Sequence, residues 1–340
     1  MEMQLSKSST TWSSRSRPAS VGSLRWAAQA LDREVFGFRF HYPIEVVQGA
    51  ERPDSLHYYV YSDRLFLNDL EFDANGVAMK NYRTRGTQYN PLFVAWWGLF
   101  NLERHLRLKE DRWLQPFFSQ VAWLKANAVE RPGGSVVWPC YFEWQEGLCT
   151  LKSPWISAMY QGVVISALVR AYRLAGDKEL LDLCVKATRV FSLSIDEGGV
   201  RTCEQGRVLY EEYPAYPLPR VLDGFLFSLL GLYDLAVQTN AADVRGLFQD
   251  GIEGLKQTLA FWDYRRKWSW YGSHGYLCPP HYHALNGLLL GILGRLTGDG
   301  TLTDCANRWD VNTRSVMDKM EIFLMFSLTK NWARLRLPRN

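Results

Sequence analysis

Residues 155–180, WISAMYQGVVISALVRAYRLAGDKEL, are the stretch from which the fold is read. Positions 155–172 are apolar on nearly all sides, the pattern of a helix enclosed by other helices rather than one lying on a surface. The next segment, Arg173-Leu174-x-x-Asp177-x-x-Leu180, ends that helix and supplies an Asp to N-cap another. The same R-L-x-x-D-x-x-L pattern occurs as Arg107-Leu108-x-x-Asp111-x-x-Leu114 and as Arg295-Leu296-x-x-Asp299-x-x-Leu302, at separations of 66 and 122 residues. A helix-turn-helix unit returning about every 60 residues predicts antiparallel hairpins arranged in a ring, with any chemistry at one mouth.

Outward from there, apolar positions at helical spacing predict helices over 91–107, 111–128, 155–174, 177–194, 219–239, 243–262, 283–297 and 311–333. Strand-like pieces lie at 135–144 and 199–210. From Phe36 to Tyr89 the pattern changes to short aromatic and β-branched runs broken by Gly, Pro and Asp, which predicts roughly four to six strands. Asp73-Ala74-Asn75-Gly76 reads as a hairpin turn. The first residues are rich in Ser, Thr and Arg and poor in acid, so they are expected to form a mobile arm. The expected architecture is mainly α: an arm over 1–30, a small antiparallel β-rich domain over 31–90, and an incomplete α/α toroid of helical hairpins over 91–340.

The 340 residues suffice for a large core, and the net charge of +4, without a basic run, gives no footprint for nucleic acid. A mildly basic surface still attracts a polyanion. Fourteen Trp, 17 Tyr and 17 Phe suit a groove that stacks against sugar faces as well as a core. Cys140, Cys149, Cys184, Cys203, Cys278 and Cys305 show no metal-ligand spacing and are expected to be free thiols. No stretch approaches the ~20 apolar residues of a membrane span, and the N-terminus lacks the apolar core of a secretory signal, so a cytoplasmic location and no membrane partner are expected.

The candidate site centres on Tyr210–Leu235, YEEYPAYPLPRVLDGFLFSLLGLYDL. Two carboxylates, Glu211 and Glu212, stand between Tyr210 and Tyr213, three prolines come after them, and then a helix begins, so an acidic turn sits at that helix's mouth. His281 and His283, two apart, do not share a helical face and have no third ligand, so no metal site is expected there. Asp69, Asp73 and Asn75 offer oxygen ligands for a structural Ca2+, in a spacing that does not reproduce an EF-hand loop.

The chain resembles the glucuronyl C5-epimerases, which invert uronic acids inside heparosan-type polysaccharides, in four blocks spread over about residues 85–310. These are Gln88-Tyr89-Asn90-Pro91; Ser153-Pro154-Trp155-Ile156-Ser157-Ala158-Met159 with Gln161-Gly162; the Tyr210–Leu235 stretch; and Trp268-Ser269-Trp270-Tyr271 through His281-Tyr282-His283. The resemblance implies Glu212, Tyr271 and Tyr282 as catalytic residues. It implies Tyr89, Asn90, Trp155, Gln161, Tyr210, Glu211, Tyr213, Arg220, His274 and His283 as substrate-binding residues, with no cofactor, an acidic polysaccharide substrate and a homodimer. After Tyr271 the family carries Asp-Leu-Arg-His, whereas this chain has Gly272, Ser273, His274 and Gly275; the asparagine of the family's VLNGF is Asp223, and the family's second histidine after Tyr282 gives way to Asn286. His274, Arg220, Arg265 and Arg266 are the candidates to take the place of the missing arginine.

These residue types suit the reaction. Epimerisation at C5 removes a weakly acidic proton beside a carboxylate and returns one from the opposite face, so two proton-carrying groups must flank the ring while the carboxylate is neutralised. Glu212 and Tyr271 are expected to act on one face or to share one proton relay, and Tyr282 to act from the other face, with His283 or an arginine holding the carboxylate. The competing readings are a lyase that expels the O4 substituent after the same proton abstraction, and a catalytically silent glycan-binding protein.

Overall fold

The computed structural model describes residues 38–62 and 66–337. The expected arm over 1–30 lies outside the described residues. Residues from Arg39 onward cluster as one unit.

Four helical hairpins dominate that unit: α1 (Pro91–Leu108) with α2 (Leu114–Ala126), α3 (Ala158–Ala175) with α4 (Lys178–Ala187), α5 (Leu222–Thr239) with α6 (Ala242–Trp262), and α7 (Pro280–Thr297) with α8 (Gly300–Arg308), succeeded by α9 (Val316–Arg336). The first members, α1, α3, α5 and α7, pack side by side in that order, and each carries its partner on the outside. This is the incomplete α/α toroid expected from the repeat. The enclosed helices α3 and α5 are buried along most of their length, whereas α4 buries only Leu180, Cys184 and Ala187. No helix among the described residues is long and apolar enough to cross a membrane.

Glycine sets the closeness of the central pair. A Cβ at Gly162 of α3 would lie 2.6 Å from the Ser228 Cα, and one at Gly231 of α5 would lie 2.2 Å from the Gly162 carbonyl oxygen. The two backbones therefore touch, and no side chain fits between them. A little further along, Arg170 of α3 reaches Asp234 of α5 at 2.6 Å, with both side chains buried. Tyr59 donates to Asp234 at 2.7 Å, and Arg170 Nη2 donates to the His57 carbonyl at 2.9 Å, so this buried pair also fastens the 57–59 segment to the helices.

The strands are short and antiparallel. In chain order β1 (Glu45–Val46) pairs with β2 (Val60–Tyr61); β3 (Leu70–Phe72), β4 (Ala78–Tyr82) and β5 (Gly86–Gln88) form a meander; and the pairs β6 (Val129–Glu130)–β7 (Val136–Val137), β8 (Trp144–Glu146)–β9 (Cys149–Leu151), β10 (Arg201–Glu204)–β11 (Arg207–Tyr210) and β12 (Asp263–Tyr264)–β13 (Trp268–Ser269) lie between helices. The β3–β4 turn is the expected one: the Asp73 carboxylate accepts from the amides of Asn75 and Val77 and from the Tyr89 hydroxyl. The Asp69 carboxylate instead faces Lys80, at 3.7 Å. All six cysteines are free, five buried and Cys203 exposed.

Two expectations need correction. Asp177 and Asp299 N-cap α4 and α8 as the repeat requires, but Asp111 makes no cap: a 3-10 turn over Asp111–Trp113 intervenes, and α2 starts at Leu114. Helix α8 has no counterpart among the helices expected from periodicity. Its sequence, GTLTDCANR, contains Gly, Thr, Asp and Asn, which are weak helix formers, and only Leu302 and Cys305 are buried.

Candidate active site

The Tyr210–Leu235 stretch is held at one mouth of the helical ring by its neighbours. Strand β11 delivers the chain to Glu211, whose amide donates to the Val200 carbonyl at 2.8 Å and whose carbonyl accepts from the Ala158 amide at 3.1 Å, at the first turn of α3. The prolines then keep the chain out of regular secondary structure, with a left-handed residue at Arg220, until α5 begins at Leu222. Glu212 is left against the first turn of α5: a Cβ at Gly224 would lie 2.3 Å from its Oε2.

A second segment closes over it. Gly272 sits at φ +53, and a Cβ there would lie 2.1 Å from the Pro219 carbonyl oxygen, while the Ser273 amide donates to that same oxygen at 2.7 Å. An aspartate, which the family's pattern has after tyrosine, does not fit this contact. The glycine thus docks the loop that carries Tyr271 onto the proline-rich turn that carries Glu212. Tyr282 comes from the first turn of α7, and its ring lies 5.5 Å from that of Tyr271.

Glu212, Tyr213, Asp223, Tyr271 and Tyr282 line a single cavity of about 280 Å³, together with Lys80, Tyr82, Trp144, Tyr160 and His281 among others. Residues far apart in the chain thus meet around a volume that suits one sugar ring. The walls are acidic. Burial, reinforced by the charges of Asp223 and Glu146, holds the Glu212 carboxyl well above the usual range, against a hydrogen bond from Tyr213 that pulls the other way. Burial likewise pushes Asp223 up to about 7, although backbone amides at the start of α5 favour its anion. The Tyr271 and Tyr282 phenols are raised by burial and by the surrounding carboxyls, so both keep their protons at neutral pH.

The remaining expected residues fall into two groups. Tyr213 lines the cavity, and His274 and Asn90 support its walls. The Asn90 amide caps α1 and donates to the Tyr82 hydroxyl at 2.7 Å. His274 Nδ1 donates to the Tyr271 carbonyl at 2.9 Å, and its Nε2 lies 2.8 Å from Glu146 Oε1. The others lie elsewhere. Tyr89 is 40% exposed and stacked on Trp123; Tyr210 donates to the Leu247 carbonyl; and the Trp155 indole donates to the Phe142 carbonyl. Gln161 bonds the Trp138 amide and the Val136 carbonyl. Glu211 and Arg220 are paired with each other at 2.8 Å, Arg220 also reaching Glu204, and burial raises the Glu211 carboxyl despite the guanidinium. His283 is stacked on Trp268, its Nδ1 accepting from the Ser269 amide and its Nε2 donating to the Trp309 carbonyl; burial lowers it to about 3, and it stays neutral. Arg265 is bound to Glu321. Among the described residues no cluster of three or more His, Cys, Asp and Glu side chains is placed to hold a metal ion.

Sequence reasoning missed Lys80, Tyr82, Trp144 and Glu146, and counted Asp223 only as a departure from a pattern. Glu146 accepts from the Trp144 indole at 3.1 Å and adds to the negative field at Glu212, Asp223, Tyr271 and Tyr282.

Fold and cavity define a helical toroid with a buried pocket of carboxyls and phenols. The profile of the D-glucuronyl C5-epimerase C-terminus family matches residues 133–311. The D-glucuronyl C5-epimerase of Caenorhabditis elegans is 31% identical over 230 residues, covering 62% of this chain and 37% of that protein. Solved structures that align with the chain include cellobiose 2-epimerase from Bacillus thermoamylovorans, at 13% identity, a TM-score of 0.48 and coverage of 72% of this chain and 66% of that one. A GH76 α-mannanase from Bacteroides thetaiotaomicron aligns at 11% identity, with a TM-score of 0.48 and coverage of 79% and 78%. The chain belongs to the D-glucuronyl C5-epimerase family. It spans 37% of the length of its curated relative.

Proposed function

We propose that this chain is a cofactor-independent uronate C5-epimerase, converting D-glucuronic to L-iduronic acid residues in a heparosan-like acidic polysaccharide and working as a homodimer. The observation that carries the reading is the meeting of Glu212, Tyr271 and Tyr282 in one sugar-sized cavity. Membership of the family supports it independently.

In this reading Glu212 takes the C5 proton, with Asp223 close by to share the charge, since two buried carboxyls side by side retain one proton between them. Phenols that keep their protons suit the donor role. Tyr282 returns a proton from the opposite face of the ring, and Tyr271 relays protons to and from Glu212. His274 holds the Tyr271 loop in place and binds no sugar itself. Incubation with heparosan in D2O tests the reading: deuterium enters C5 while chain length is unchanged. An unsaturated product absorbing in the ultraviolet makes the protein a lyase, and glycan binding without exchange makes it a silent binder; either result overturns the proposal.

A further inference from the structure

Removing the C5 proton is tolerable only if the neighbouring carboxylate is neutralised, yet the cavity wall is built of carboxyls and phenols. Two basic side chains line it among the described residues, Lys80 and His281. Burial lowers His281 to about 4, which leaves it neutral at pH 7. Outside the lining, Arg220 is bound to Glu204 and Glu211, Arg265 to Glu321 and Arg85 to the Glu143 carbonyl, while Lys330 lies over the Tyr276 ring at 3.6 Å.

Lys80 is differently placed. It lies in β4, where alternate residues face opposite ways: Lys80 and Tyr82 line the cavity, while Asn81 between them donates to Glu71 on the outer side at 2.6 Å. The Lys80 ammonium lies 4.9 Å from the centre of the Phe93 ring, another part of the cavity lining. It donates to the Asn68 carbonyl at 2.5 Å and to the Asn68 side-chain oxygen at 2.7 Å. An ammonium has three N–H donors, so these bonds fix its position and use two of them. Its ion partner, Asp69, is 3.7 Å away with a side chain 75% exposed, so solvent screens that pair. Burial lowers the pKa of the amine and outweighs the Asp69 carboxylate, which raises it.

We propose that Lys80 is the carboxylate-binding element of the cavity and selects a uronic acid over the corresponding neutral sugar. This rests on the reading that the cavity receives a uronate, and it gives the substrate carboxylate a partner on the β3–β5 meander rather than on the loop after Tyr271. The site is thereby completed by two parts of the chain that sequence reasoning treated separately.

Calorimetric titration of the full chain with a heparosan oligosaccharide, and with the same oligosaccharide after its glucuronates are reduced to glucose, provides the test. The wild type is expected to prefer the uronate by roughly 10- to 100-fold, the scale of a hydrogen bond to a charged group. Lys80→Met abolishes that preference by weakening the uronate alone, and Lys80→Arg keeps most of it. Lys80→Gln, which retains a donor toward Asn68, repeats the loss should Lys80→Met lower the melting temperature. A preference that survives in both neutral variants, or is missing from the wild type, overturns the assignment. The deuterium experiment reads the other proposal separately. A Lys80-dependent preference without C5 exchange sinks the epimerase reading alone, whereas exchange with an unchanged KM in Lys80→Met sinks the role of Lys80 alone.

Discussion

Asp223 is the residue at which this chain departs most consequentially from its family's pattern, since it sets a second buried carboxyl beside Glu212. Its folded-state pKa, about 7, stands above the unfolded value of 3.8. A group raised in this way stabilises the fold fully only below its unfolded pKa, and that contribution is lost as pH rises through the folded one. Stability should therefore fall between pH 4 and 8. Asp223→Asn removes the titration, and its stability relative to the wild type should improve by on the order of a few kcal/mol from pH 5 to pH 8, because each pH unit separating the folded and unfolded values is worth about 1.4 kcal/mol. Urea melts of both proteins at the two pH values measure it, and a constant difference would mean that Asp223 is not held protonated by its surroundings. In the sequence, Asp223 is one polar residue near the start of an apolar helix, with nothing to mark it as facing a cavity. Glu212, Tyr271 and Tyr282 were legible through blocks long enough to resemble a family. Lys80, Tyr82, Trp144 and Glu146 were not, because each sits on a strand of three or five residues whose neighbours in the cavity come from distant parts of the chain.

Among helices and turns, what proved readable was the spacing of hairpins, and what proved misleading was the literal motif. All four hairpins leave the inner helix through a left-handed residue, Lys109, Gly176, Asn240 and Gly298, whose amide bonds back four residues. The α5–α6 connection does this without R-L-x-x-D-x-x-L, because a left-handed C-cap, not a particular sequence, is what stops the helix. Likewise the close pairing of α3 and α5 depends on Gly162 and Gly231, which periodicity counts merely as small residues. Gly231→Ala should cost roughly 1–3 kcal/mol through overpacking, and Gly162→Ala a similar amount. The loss should appear in the denaturation midpoint at unchanged m-value. Gly246, whose Cβ would meet nothing within 4 Å, is the control on α6: alanine there should stabilise by a few tenths to 1 kcal/mol. Equal effects at the three positions would remove the case for backbone contact between α3 and α5.

At the level of the whole molecule, the site exists because one end of the helical ring gathers strands, loops and helix ends from between Phe66 and Leu285, and something must hold the ring in register beneath it. The Arg170–Asp234 pair is placed to do so, since it ties α3 to α5 and both to the segment ahead of β2. A buried ion pair often adds little over well-packed apolar residues, yet removing one partner leaves a charge stranded. Asp234→Ala should therefore destabilise the protein by roughly 3–5 kcal/mol, while Arg170→Met with Asp234→Leu together should cost much less than the sum of the single changes. Tyr59→Phe, which deletes one bond to the same carboxylate, should cost roughly 1–3 kcal/mol, the range for a hydrogen bond to a charged group or a buried acceptor left short of a donor. Equilibrium denaturation of these variants decides the matter. Additive losses would show that helices and β segment are held independently; strong non-additivity would make this pair the point at which the ring and the cavity above it are set together.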